Sequence, residues 1–202
     1  MTRKILKLSA ICISYLALNS LVLAAEYPIG EPKIQDGIEI AAVYLQPIKM
    51  DPEGIMRKAE DSDIHLEADI SAVQDNPNGF AEGSWMPYLV VHYELIKEGE
   101  KETIKGHMMP MVASDGPHYG DNVKLKGNGR YKLKLNVEAP NAHEKHKSEK
   151  SNDPKHDDHT MMHSHGEFGR HVDKETGVGA WFKPINVEYD FVFAGIGKKG
   201  SY

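Results

Sequence analysis

An all-β domain is what the sequence predicts, and three features predict it. Apolar and polar residues alternate with a period of two over several short stretches. No segment sustains a long helical period, and a Gly127-Asn128-Gly129 turn signal separates two of the alternating runs. Residues 37–46 (GIEIAAVYLQ) are β-branched and apolar enough for a strand, and 51–61 (DPEGIMRKAED) reads as a short helical turn. In 64–73, Ile64, Leu66, Ala68 and Ile70 alternate with His65, Glu67, Asp69 and Ser71. In 87–97, Leu89, Val91, Tyr93 and Leu95 share one face. Residues 121–138 form two strands about the glycine turn, the second burying Tyr131, Leu133, Leu135 and Val137. The last strand alternates through Ile185, Val187, Tyr189, Phe191 and Phe193. Six or more short strands at this spacing suggest a β-sandwich.

Two segments stand outside this pattern. Residues 1–24 have a basic start, an apolar run and small residues at Ala24 and Ala25, the pattern of a cleaved export signal. The run contains Ser and Asn and is short for a spanning helix, so no membrane anchor is expected after cleavage. Residues 141–166 contain His143, His146, His156, His159, His163 and His165 with Met161 and Met162, and no Val, Ile, Leu, Phe, Tyr or Trp. Such a stretch has too little apolar surface to offset its ordering entropy, and a mobile insertion is expected there. A single domain over 25–202 remains.

Composition narrows the chemistry. The one cysteine, Cys12, lies in the leader, so the exported chain has no disulfide, thiolate ligand or cysteine nucleophile. Three of the 24 basic residues (Arg3, Lys4, Lys7) and none of the 30 acidic ones lie in the leader, which leaves a formal charge of −9. That balance disfavours nucleic acid and suits cation capture. There is no HExxH, no GxSxG, no phosphate loop and no dinucleotide fingerprint.

Metal-ligating residue types are the remaining chemistry. His65 and Glu67 stand at i and i+2, roughly 7 Å apart on one strand face; they could approach one ion together, but taken alone the pair reads first as an exposed polar face. Met108, Met109 and Met111 read as core filler or as soft donors; Met109 and Met111 share a face if the segment is extended. The turn Ser114-Asp115-Gly116-Pro117 would return His118 towards Met111. His171 reads as a loop histidine beside Asp173, and His92 and His107 as strand-surface residues. Thioether, imidazole and carboxylate together suit copper or iron better than magnesium or calcium.

Seven blocks carry a resemblance: YPIGEP, EIAAVYLQPI, DIHLEADI, WMPYLVVHYEL, MPMVASDGPHYGDNV, FGRHVDKETGVGAWFKP and VEYDF. Together they resemble the periplasmic 19-kDa iron-transport family of Gram-negative bacteria, accessories of high-affinity iron permeases. The resemblance spans residues 27–196 and implies an immunoglobulin-like β-sandwich, a homodimer, and copper bound beside an iron site near the dimer interface. It implies His65, Glu67, Met111, His118 and His171 as the metal ligands. The 141–166 insertion departs from the family's pattern.

The resulting expectation is a periplasmic protein of iron uptake that binds copper and iron and supplies iron to an inner-membrane permease. A periplasmic copper chaperone or copper buffer is the alternative that the same ligand types fit. An enzyme is not expected, with ferroxidase-like activity left open. Imidazoles bind metal in their neutral form, so affinity is expected to fall as pH drops through about 6.5.

Overall fold

The computed structural model describes residues 26–140 and 168–196. The leader and the histidine-rich insertion lie outside the described residues. Among the described residues nine antiparallel strands follow in order: β1 Tyr27–Pro28, β2 Lys33–Gln35, β3 Ile38–Leu45, β4 Ile64–Ala72, β5 Val90–Lys97, β6 Thr103–Ala113, β7 Gly116–Val123, β8 Gly129–Glu138 and β9 Ile185–Phe193. A 3-10 turn over Ala59–Asp61 lies within the segment read as helical. The fold is all-β, as the alternation predicts. Among the described residues no helix is long and apolar enough to cross a membrane.

The strand order is β1-β3-β4-β7-β6-β5-β8-β9, with β2 also on β3. The sheet curls over itself because β6 changes partner along its length. Thr103 to Met108 pair with β5, whereas Met109 to Ala113 pair with β7. Pro110, which has no N–H to give to a ladder, stands just past the change of partner.

The alternating faces then meet inside. Ile64, Leu66, Ala68 and Ile70 of β4 lie in one core cluster with Leu133, Leu135 and Val137 of β8. Tyr44 of β3 packs against Phe191 of β9, ring centres 5.7 Å apart. The hydroxyl of Tyr189 donates to the Ile40 carbonyl at 2.7 Å, so β9 is tied to β3 across the core. Tyr93 of β5 reaches Asp121 of β7 at 2.8 Å. A Cβ at Gly106 would overlap the Tyr93 ring, so this crossing needs a bare Cα on β6. Met108 is fully buried in the core, the filler role that methionine commonly takes.

Candidate metal centre

The period of two that buries Ile64, Leu66 and Ala68 sends His65 and Glu67 to the other side of β4. Register then brings β7 alongside: His65 faces Asn122 and Glu67 faces Gly120. On β7's far side, Met111 of β6 faces His118, and Met109 faces Gly120. The turn at Ser114–Asp115 makes that hairpin, and it returns His118 to Met111 as its spacing predicts. Three adjacent strands thus present their functional side chains on one outer face.

Around His65, Glu67 and His118 that face is not exposed, although Asp69 further along it is. His65 is 0%, Glu67 5% and His118 4% exposed, which corrects the reading of an exposed polar strand face. The segment between β3 and β4 is tied to β7 beside His65. Asn122 clamps it, with its Nδ2 donating to the carbonyls of Ile48 and Arg57, each at 2.8 Å.

Glu67 Oε1 lies 3.5 Å from His65 Nε2 and 3.3 Å from His118 Nε2. The imidazole rings stand edge to face, centres 5.9 Å apart. Neither Nε2 has a hydrogen-bond partner, although both are sealed from solvent. Ligand atoms of His65, Glu67 and His118 all lie within 4.8 Å of one another. Two donors each about 2.1 Å from an ion are separated by up to about 4.2 Å, so small rotations close this group on a metal. A Cβ built on Gly120 would lie 2.6 Å from His65 Nε2 and 3.2 Å from Met111 Sδ. The thioether and the imidazole therefore meet over a bare Cα.

Burial sets the electrostatics. It pushes His65 down to about 4, and the nearby His118 adds to the fall. It pushes Glu67 up to about 8, with Asp69, Glu26 and Asp115 adding like charge. At neutral pH the centre thus holds a neutral imidazole and a protonated carboxyl. Asp69 is raised by burial and by Asp115, against a lowering by His118. Glu26 is raised by burial and by its hydrogen bond to Asp115. Glu67 consequently sits between two imidazoles and three further carboxyl groups.

His65, Glu67, Met111 and His118 are gathered here; His171 is not. It lies on an exposed loop, its Nδ1 2.8 Å from Thr176 Oγ1, which in turn donates to Asp173 Oδ2 at 2.8 Å. The direct distance to Asp173 is 4.0 Å, so the threonine mediates that pairing. His92 and His107 face each other across β5 and β6, ring centres 5.2 Å apart; both are half-buried rather than on an open strand surface, and the His107 Nε2 is sealed from solvent. Sequence reasoning did not single out Asp69, Asp115, Glu26 or Asn122. Asp69 was detectable as the next residue on Glu67's face, and Asp115 from its place in the turn before His118. Glu26 had no local signal.

Buried unsatisfied imidazoles, a carboxylate and a thioether match the donor set of copper, and the carboxyl cluster suits a harder cation. The Fe2+ transport protein family matches residues 23–195. A UPF0423 protein of Brucella abortus (strain 2308) is 60% identical over 179 residues, 89% of this chain and 87% of its own length. Copper-reconstituted P19 protein from Campylobacter jejuni is 47% identical with a TM-score of 0.72, over 86% of this chain and 99% of that one. A copper-bound variant of FetP from uropathogenic Escherichia coli strain F11 is 44% identical with a TM-score of 0.70, over 85% of this chain and 99% of that one. On a match that takes in β1 to β9 and the face that carries His65, Glu67, Met111 and His118, this chain belongs to the Fe2+ transport protein family.

Proposed function

We propose that this chain is an exported, periplasmic metal-binding protein of iron uptake. It holds copper through His65, Met111 and His118, with Glu67 as the anionic donor shared with iron. Iron is the cargo, taken on the carboxylate side by Glu67 with Asp69, Glu26 and Asp115. The observation that carries the reading is the pair of sealed, unpartnered Nε2 atoms facing a buried carboxyl group. Buried nitrogen lone pairs without a partner are costly unless an ion satisfies them. The copper held by the related P19 and FetP supports the choice of metal.

Copper there supplies a one-electron couple beside the iron. Met111 contributes the soft donor that holds reduced copper, and Glu67 the hard oxygen that iron prefers. His171 reaches the site from a second copy of the chain, in a homodimer, because its own protomer leaves it on an exposed loop. Iron then passes to an inner-membrane permease.

Copper and iron affinities of the mature chain test this, beside a His118→Ala variant and a deletion of 143–165. Loss of the tight copper site in His118→Ala, with the deletion unaffected, is the expected result. Loss in the deletion alone would move the copper to the histidine-rich segment. The six histidines there favour copper buffering as the second reading, which predicts a copper-sensitive deletion strain that grows normally without added iron.

A further inference from the structure

Asn122 is 2% exposed and makes four contacts that fix its orientation. Nδ2 donates to the Ile48 and Arg57 carbonyls, each at 2.8 Å. Oδ1 accepts from the Ile48 N–H at 3.2 Å and lies 3.0 Å from His65 Nδ1. Reversing the amide would set its oxygen against two carbonyl oxygens and its N–H groups against a backbone N–H. The Ile48 amide can only donate, and the two carbonyls can only accept. The atom facing His65 is therefore an acceptor, and a hydrogen bond at 3.0 Å requires the proton to be on Nδ1.

We infer that Asn122 is a positioning residue, holding His65 as the Nδ1–H tautomer so that the Nε2 lone pair faces Glu67 and His118. A metal-ligating imidazole commonly donates its second N–H to a partner that fixes ring and tautomer, and such partners influence metal affinity by about 10–100-fold. Most such partners are carboxylates or backbone carbonyls. Here the partner is an amide whose donors also hold the 46–57 segment against β7. One side chain therefore ties down that segment and orients the ligand.

The inference rests on the proposed copper site only for the consequence of the tautomer, not for the tautomer itself. Two measurements separate these. Nitrogen-15 NMR of the metal-free mature protein at neutral pH should show His65 with a pyrrole-type Nδ1 and a pyridine-type Nε2. Copper titration and thermal melting then compare Asn122→Leu with Asn122→Asp. Both variants lose the donors to Ile48 and Arg57, so both should melt lower. Only Asn122→Asp keeps an acceptor at Nδ1, so it should retain the tautomer and most of the affinity, while Asn122→Leu weakens copper about 10–100-fold. An Nε2–H form of His65 in the wild type overturns the assignment. Equal loss of affinity in both variants also overturns it and leaves Asn122 as a clamp of the 46–57 segment alone. A wild type with the Nδ1–H form that binds no copper upholds the tautomer and overturns the proposed function.

Discussion

Gly120→Ala should remove the tight copper site from a protein that still folds. Alanine's backbone is compatible, because Gly120 sits in β7 outside the left-handed region. The difficulty is the methyl group, which would lie 2.6 Å from His65 Nε2, 2.9 Å from its Cε1 and 3.2 Å from Met111 Sδ. His65 is fully buried and bonded to Asn122, so its ring has little room to retreat. Overpacking of this kind costs about 1–3 kcal/mol of stability. The effect on binding is larger, because the methyl occupies the space into which the imidazole lone pair and the sulfur point. A loss of affinity of about a hundredfold is expected, at the upper end of what displaced ligand geometry causes. Copper competition titration with circular dichroism on the same sample checks both halves. Wild-type affinity in a folded Gly120→Ala protein would place the ion elsewhere than between His65 and Met111.

Copper uptake near neutral pH should release a proton, with Glu67 rather than His65 as its source. The sign follows from the two shifts. His65 is lowered to about 4, so it is already neutral across the physiological range and gives up nothing on binding. Glu67 is raised to about 8, so below that pH the metal must displace its proton. Affinity should therefore climb as pH rises from 6 towards 8, above the range near 6.5 expected for an unperturbed imidazole. In Glu67→Gln that climb should flatten, with weaker binding at every pH. Calorimetry in two buffers of different ionisation enthalpy counts the proton directly. A dependence centred near 6.5 in both proteins would assign control to a histidine.

The same shift acts on stability. A carboxyl raised in the folded state binds more protons folded than unfolded, so its contribution declines as pH rises from about 4.5 to about 8. Glu67→Gln should gain urea resistance over wild type across that window in the absence of metal, then level off. Improved folding with impaired binding would mark Glu67 as a residue kept for its ligand.

The strands with one apolar face were legible because their alternation reports a single core, as in β4 and β9. Tyr27–Pro28 and Lys33–Gln35 were not read as strands, being two and three residues long and defined only by pairing with β3. Of β6 only 106–112 was read, conditionally. Its Gly106 suggests a break in sequence, yet the chain needs it to admit Tyr93. At the candidate metal centre, the i, i+2 spacing placed His65 and Glu67 on one face, and the turn placed His118 beside Met111. Their burial was not readable, since alternation reports one core face and not what meets the other; the tie from Asn122 to Ile48 spans 74 positions of sequence. His171 differs again. Its sequence neighbours give it Thr176 and Asp173, and its own chain leaves it on an exposed loop.

The change of partner along β6 has a thermodynamic consequence. Because one strand belongs to both layers, neither layer can melt and leave the other with its ladder intact. Unfolding is then a single cooperative event for the described domain. A cation bound only between β4, β6 and β7 therefore stabilises β8 and β9 as well, which it never touches. The increment, RT ln(1 + [L]/Kd), is shared by the domain as a whole.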